Sequence, residues 1–177
     1  AIYLVGPRVD TPELNDTPVT VPSDLATLNQ WITEKENELG NVRSGNASKI
    51  IFNDSIPKKT TYSLLYLHGF TASGMEGEPV HRNIAKALGA NLYVPRLYGH
   101  GLEETEPMLH FNNEDYWESA KEALAVAKQL GDKVIVLGTS HMVLCVSSFI
   151  GMCVFFILGN VQVDFMMPIA LGAIIGA

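Results

Sequence analysis

Two short apolar runs in this chain each break into a glycine-containing turn, and that recurrence narrows the folds open to it. Leu64–Leu67 leads into His68-Gly69-Phe70, and Val134–Leu137 leads into Gly138-Thr139-Ser140. Short apolar runs bounded by turn signals read as strands buried on both faces, which is the pattern of a parallel sheet. Parallel strands must be joined by long crossovers, and helical patterns stand between the runs. Val80–Leu88 is one, ended by Gly89; another is capped by Asn113, with Trp117, Ala120, Leu124 and Ala127 as its apolar stripe and Gly131 as its end. The expected class is α/β, with a mainly parallel sheet flanked by helices and functional groups at the carboxyl ends of the strands.

The remaining elements follow in chain order. Pro7, Pro12, Pro18 and Pro22 make the first residues an extended lead-in. Ser23 is placed to cap a helix running from about Asp24 to Leu39, with Leu25, Leu28 and Ile32 at helical spacing and Gly40 after its end. Strands are expected at Lys49–Phe52, Tyr62–Leu67, Asn91–Val94 and Lys133–Leu137. The long loop between Arg96 and Asn112 carries Gly99-His100-Gly101.

Composition removes several function classes. The 177 residues carry a formal net charge of −7 and no basic run, so no nucleic-acid partner is expected, because phosphate binding draws on clustered Lys and Arg. The two cysteines, Cys145 and Cys153, have no ligand-spaced neighbours, and no metal site is assigned. Glu76, Glu78, Glu103, Glu104 and Glu106 sit on glycine- and proline-rich loops, where glutamates are usually solvated. No cofactor motif is present, and none is expected.

Ser140 follows a strand within Gly138-Thr139-Ser140-His141-Met142, which is a nucleophile elbow of the form G-x-S-x-G with its second glycine replaced by Met142. His68-Gly69-Phe70 stands upstream at the end of another strand, and Tyr98-Gly99-His100-Gly101 stands between the two. In this order and spacing the segment from Tyr62 to Ser140 resembles the α/β-hydrolase family, most of all its carboxylesterases and monoglyceride-lipase-like members. The resemblance implies serine-dependent hydrolysis of a small ester or lipid-like substrate through an acyl-enzyme. It also implies Ser140 as nucleophile, Phe70 and His141 as backbone donors to the oxyanion, and a loop-shaping role for Gly99-His100-Gly101.

Beyond Ser140 the chain departs from that family. A triad in the order serine, acid, histidine needs a later histidine, but the only histidine after Ser140 is the adjacent His141 and the only acid is Asp164. The expected domain is therefore a hydrolase-like core over 1–140, C-terminally truncated or altered, with impaired activity. The alternative is a non-catalytic remnant of the fold. Residues 141–177 form a very apolar tail: Met142–Gly159 is 18 residues without a charge, roughly 27 Å as a helix. Three readings of the tail stand open. It packs as a buried helix and strand, it attaches the chain to a membrane through 142–177, or it is not the family's native sequence. These place the protein in the cytoplasm or at the cell envelope.

Overall fold

The computed structural model describes residues 13–138, all within one compact unit, Ala1–Thr139. The readings of Ser140, of His141 and of the tail lie outside the described residues. The elements are α1 (Leu25–Leu39), β1 (Lys49–Ile51), β2 (Thr60–Leu67), a 3₁₀ turn (Gly74–Gly77), α2 (Val80–Leu88), β3 (Asn91–Val94), α3 (Asn113–Leu130) and β4 (Gly131–Gly138). The class is α/β. The sheet is mixed, in the order β1-β3-β2-β4. β2 is parallel to both β3 and β4, while β1 runs antiparallel to β3 at one edge. The two strands that opened the sequence reading are parallel neighbours, with Leu64 opposite Ile135 and Leu67 opposite Gly138. Both strands therefore end on the same edge of the sheet.

Alternation along the strands sorts the core into two layers. Leu65 and Tyr93 point to one face, where Leu28 and Ile32 of α1 and Ala123, Val126, Ala127 and Leu130 of α3 cover them. Leu64, Tyr66, Leu92 and Val94 point to the other, against Ala85 of α2. The helices that follow β2 and β3 thus lie on opposite faces, although the two strands are neighbours. The segments leaving their carboxyl ends diverge and open a crevice there, the usual place for a ligand in a sheet of this kind. At the opposite end buried Asn91 ties the sheet down: its Nδ2 donates to Lys58 O (2.8 Å) and Leu130 O (2.9 Å), and its Oδ1 accepts from Asn53 N (3.0 Å).

Several local expectations are corrected. Asp24, not Ser23, caps α1: its Oδ2 accepts from Thr27 N at 2.8 Å and from Thr27 Oγ1 at 2.7 Å. A carboxylate at this position also faces the positive end of the helix. Asn112 rather than Asn113 caps α3, accepting from Asp115 N at 2.7 Å. The buried stripe of α3 is Ala123, Val126, Ala127 and Leu130, and Leu124 is 37 % exposed. Trp117 is turned toward the lead-in instead, where its Nε1 donates to Asn15 O at 2.8 Å. Gly131 does not close α3 with a left-handed turn; it is extended and begins β4, so close to β2 that a Cβ there would lie 2.3 Å from Ser63 N. Among the described residues no helix is long and apolar enough to cross a membrane.

Candidate functional site

The turn after β2 is built from its backbone amides outward. The Gly69 N–H donates to Glu76 Oε2 at 3.0 Å, the Thr71 N–H to His100 Nε2 at 3.1 Å, and the Ala72 N–H to Gly69 O at 3.1 Å. The Phe70 N–H has no acceptor among the described residues. Thr71 adopts φ 66°, the left-handed region that a β-branched residue rarely enters. A residue held in that region by its own anchored amide and those of Gly69 and Ala72 marks a turn whose shape is imposed from outside.

His68 is the first anchor. It is 3 % exposed, and its Nε2 accepts from Leu97 N at 3.2 Å while Nδ1 contacts Gly69 O at 3.0 Å. An acceptor at Nε2 puts the proton on Nδ1, which donates to the Gly69 carbonyl. Burial holds its pKa below the usual histidine value, and the nearby His100 and Arg96 push the same way. His100 is 2 % exposed and follows the same logic: Nε2 accepts from Thr71, and Nδ1 donates to Tyr98 O at 2.7 Å. The two imidazoles lie 4.9 Å apart, and the Phe70 ring meets His100 edge-on at 5.8 Å and Phe111 at 5.3 Å. Phe70 itself is 54 % exposed.

A second set of contacts fixes His100. Gly99 (φ 72°) and Gly101 (φ 67°) both occupy the left-handed region, so glycine on either side lets the histidine turn inward. Arg96 Nη1 donates to His100 O at 3.1 Å, and Arg96 Nε donates to Glu36 Oε2 of α1 at 2.8 Å. Ser48 Oγ bridges them, donating to Glu36 Oε1 at 2.7 Å and accepting from Arg96 N at 2.8 Å. The chain of contacts thus runs from α1 through Glu36, Arg96 and His100 to Thr71. The loop is also stitched to residues 41–46. Val42 and Leu102 form a bridge, Arg43 N donates to Gly101 O at 2.8 Å, and Glu103 N donates to Asn41 O at 2.8 Å.

Sequence reasoning named Phe70 and assigned His100 a loop-shaping part. The geometry brings these two together and gives His100 that part. Ser140 and His141 lie outside the described residues; the chain leading to them leaves β4 at Gly138, beside Leu67. Glu76, Glu36 and Arg96 escaped the sequence reading. By sequence Glu76 is one of several loop glutamates expected in solvent, and only the fold returns it to the Gly69 amide. Of the other histidines, His81 on α2 is fully buried, holds Gly74 O through Nε2 at 3.1 Å and stacks edge-on to Tyr66 at 4.8 Å. Its Nδ1 has no partner among the described residues, and burial lowers its pKa against the opposing pull of Glu78. His110 sits exposed in the 95–112 loop. No three His, Cys, Asp or Glu side chains among the described residues converge on a metal position.

Two cavities adjoin the site. One, of about 510 Å³, lies between α1, α3 and the 95–107 segment and includes Glu36, Arg96, Tyr93 and His110 in its lining. The other, of about 400 Å³, lies between residues 71–73 and 99–108, with Arg43 and Asn46 on its side. Compared with family models and with curated proteins, the chain matches none.

Proposed function

We propose that this chain is an α/β-hydrolase-like domain whose chemistry is serine-dependent hydrolysis of carboxylic esters. The observation that carries the reading is the turn after β2. Three donors around it, on Gly69, Thr71 and Ala72, are committed to Glu76, His100 and Gly69 O, and the Phe70 N–H between the first two is left without an acceptor among the described residues. A rigid turn presenting one backbone donor at the carboxyl end of a central strand suits the stabilisation of a developing oxyanion. The parallel partner strand, β4, ends beside this turn and leads in sequence to Ser140. In the proposed reaction Ser140 Oγ attacks the ester carbonyl and its proton passes to a base. The oxyanion is held by the N–H groups of Phe70 and His141, and the alcohol leaves. Water then hydrolyses the acyl-enzyme, releasing the acid and freeing the serine. No cofactor enters these steps.

The base is the weak point, and a specific observation favours a second reading. His68 and His100 use both ring nitrogens in holding the turns, and His81 lies on the α2 side with Nε2 bound to Gly74 O. A histidine that already donates and accepts cannot also take the serine proton without giving up the turn it holds. On this reading the domain keeps the oxyanion turn without the activation that makes serine a nucleophile, a non-catalytic remnant. Fluorophosphonate labelling decides between the two. Covalent labelling that disappears in Ser140→Ala supports the hydrolase, and its absence in correctly folded protein supports the remnant.

A further inference from the structure

The crevice between the segments that leave β2 and β3 contains the 400 Å³ cavity, and its lining is rich in unused donors. The Arg43 guanidinium has no ion-pair or hydrogen-bond partner among the described residues, and neither do the side chains of Asn46, Thr71 and Thr105. The single acid on the wall, Glu104, already accepts from Asn41 Nδ2 at 2.9 Å. The neighbouring 510 Å³ cavity differs in kind, because its deep charges, Glu36 and Arg96, are bonded to each other. Arg43 is exposed, and its backbone is held in place: its own N–H is bonded to Gly101 O, and its carbonyl accepts from Asn46 N at 3.0 Å. A guanidinium on a fixed backbone, flanked by hydroxyls and an amide, is suited to a planar oxyanion group. One arginine opposite one glutamate favours a single negative charge over a phosphate dianion.

We propose that this cavity binds the carboxylate of a small organic acid or half-ester, with Arg43 as its charge partner. Resting on the hydrolase reading, this names the substrate class. Thr71 lines the cavity and directly follows Phe70, so an ester whose carbonyl meets the Phe70 N–H would extend its acidic arm toward Arg43. The reaction would add water across the acyl C–O bond of a dicarboxylic half-ester, giving the dicarboxylate, the free alcohol and a proton.

The test uses the full chain and two independent readouts. In the first, succinate, glutarate and adipate are titrated while backbone amide shifts are followed, with glutaramide and inorganic phosphate as controls. The expected result is saturable shifts confined to residues 41–46, 71–73 and 99–108 for at least one dicarboxylate, and none for the neutral diamide. Arg43→Gln should weaken that binding roughly tenfold or more, and Arg43→Lys should retain part of it. Undiminished binding in Arg43→Gln, no saturable shift for any diacid, or tighter binding of phosphate than of every diacid would each overturn the proposal. In the second readout, hydrolysis of monomethyl glutarate is compared with that of methyl butyrate. Arg43-dependent diacid binding without Ser140-dependent turnover would leave the site standing and remove the hydrolase reading. Ser140-dependent turnover that ignores both the charge on the ester and Arg43→Gln would remove the site alone.

Discussion

The Thr71 N–H donates to Nε2 of His100 across 3.1 Å, joining the turn after β2 to the loop after β3. Thr71 carries a φ of 66° and His100 is buried between two left-handed glycines, so each turn is shaped by the other. Removing the acceptor leaves a constrained amide unsatisfied. His100→Ala should cost about 2–3 kcal/mol in urea denaturation. His100→Gln, which offers an oxygen near the position of Nε2, should recover part of that loss. Equal losses in the two variants would mean that ring packing, and not the bond to Thr71, is what matters.

Glu36 and Arg96 form an ion pair whose side chains are only 9 % and 10 % exposed. Removing one partner strands a buried charge, so Glu36→Leu or Arg96→Met alone should cost about 3–5 kcal/mol. The double variant Glu36→Leu with Arg96→Met should cost much less than the two singles together, because neither charge is then left alone. Additive losses in a denaturation cycle would contradict a coupled pair.

Gly74 approaches β3 so closely that a Cβ would lie 2.3 Å from Val94 Cγ1. Gly74→Ala should therefore destabilise by about 1–3 kcal/mol through overpacking. Adding Val94→Ala removes the clashing methyl and should restore part of the loss, so the double variant should be more stable than the sum of the singles predicts.

The pKa values of His68 and His81 are both lowered in the folded chain, chiefly by burial. The unfolded chain then binds more protons than the native one as pH falls. The stability these neutral imidazoles contribute is fully present above the unfolded value of about 6.5 and is lost progressively as pH drops through and below it. Each contributes a slope of at most about 1.4 kcal/mol per pH unit. Denaturation midpoints should fall between pH 7.5 and pH 5, and the fall should shrink in His81→Phe, which cannot take up the proton.

Ester turnover by the 177-residue chain should be slow, because His68 and His100, the histidines that hold the turn after β2, are committed to the backbone. Any residual rate should vanish in Ser140→Ala and survive in Phe70→Ala. The Phe70 side chain is half-exposed and only its N–H is assigned a part. With p-nitrophenyl esters, fast turnover that is lost in Ser140→Ala would reveal a base other than His68 and His100. His110 would be the first candidate, since His100 is engaged at both nitrogens.

What the sequence determined by itself was the set of local elements and their class. Leu64–Leu67, Asn91–Val94 and Val134–Leu137 read as strands from their short apolar runs, and Val80–Leu88 reads as a helix ended by Gly89, because period and turn chemistry act within a few residues. The same local rules could not orient α3: Trp117 and Leu124 fit a helical stripe as well as Ala123 and Leu130 do, and only packing against the sheet chose the latter. Nor could they show that β1 pairs antiparallel with β3, since pairing direction is settled by how the chain returns to the sheet. The site divides along the same line. The motif that ends β2 points to Phe70. Its place as an uncommitted amide between the committed ones of Gly69 and Thr71 is not legible there, because that depends on Glu76 folding back to Gly69 and on His100 meeting Thr71 from 29 residues away. Glu36, 60 residues from Arg96, and Arg43, held against Gly101, carry no signal in sequence. Hydrogen bonds and charge pairs between distant segments act only after the hydrophobic layers have brought those segments together, so tertiary structure alone decides them.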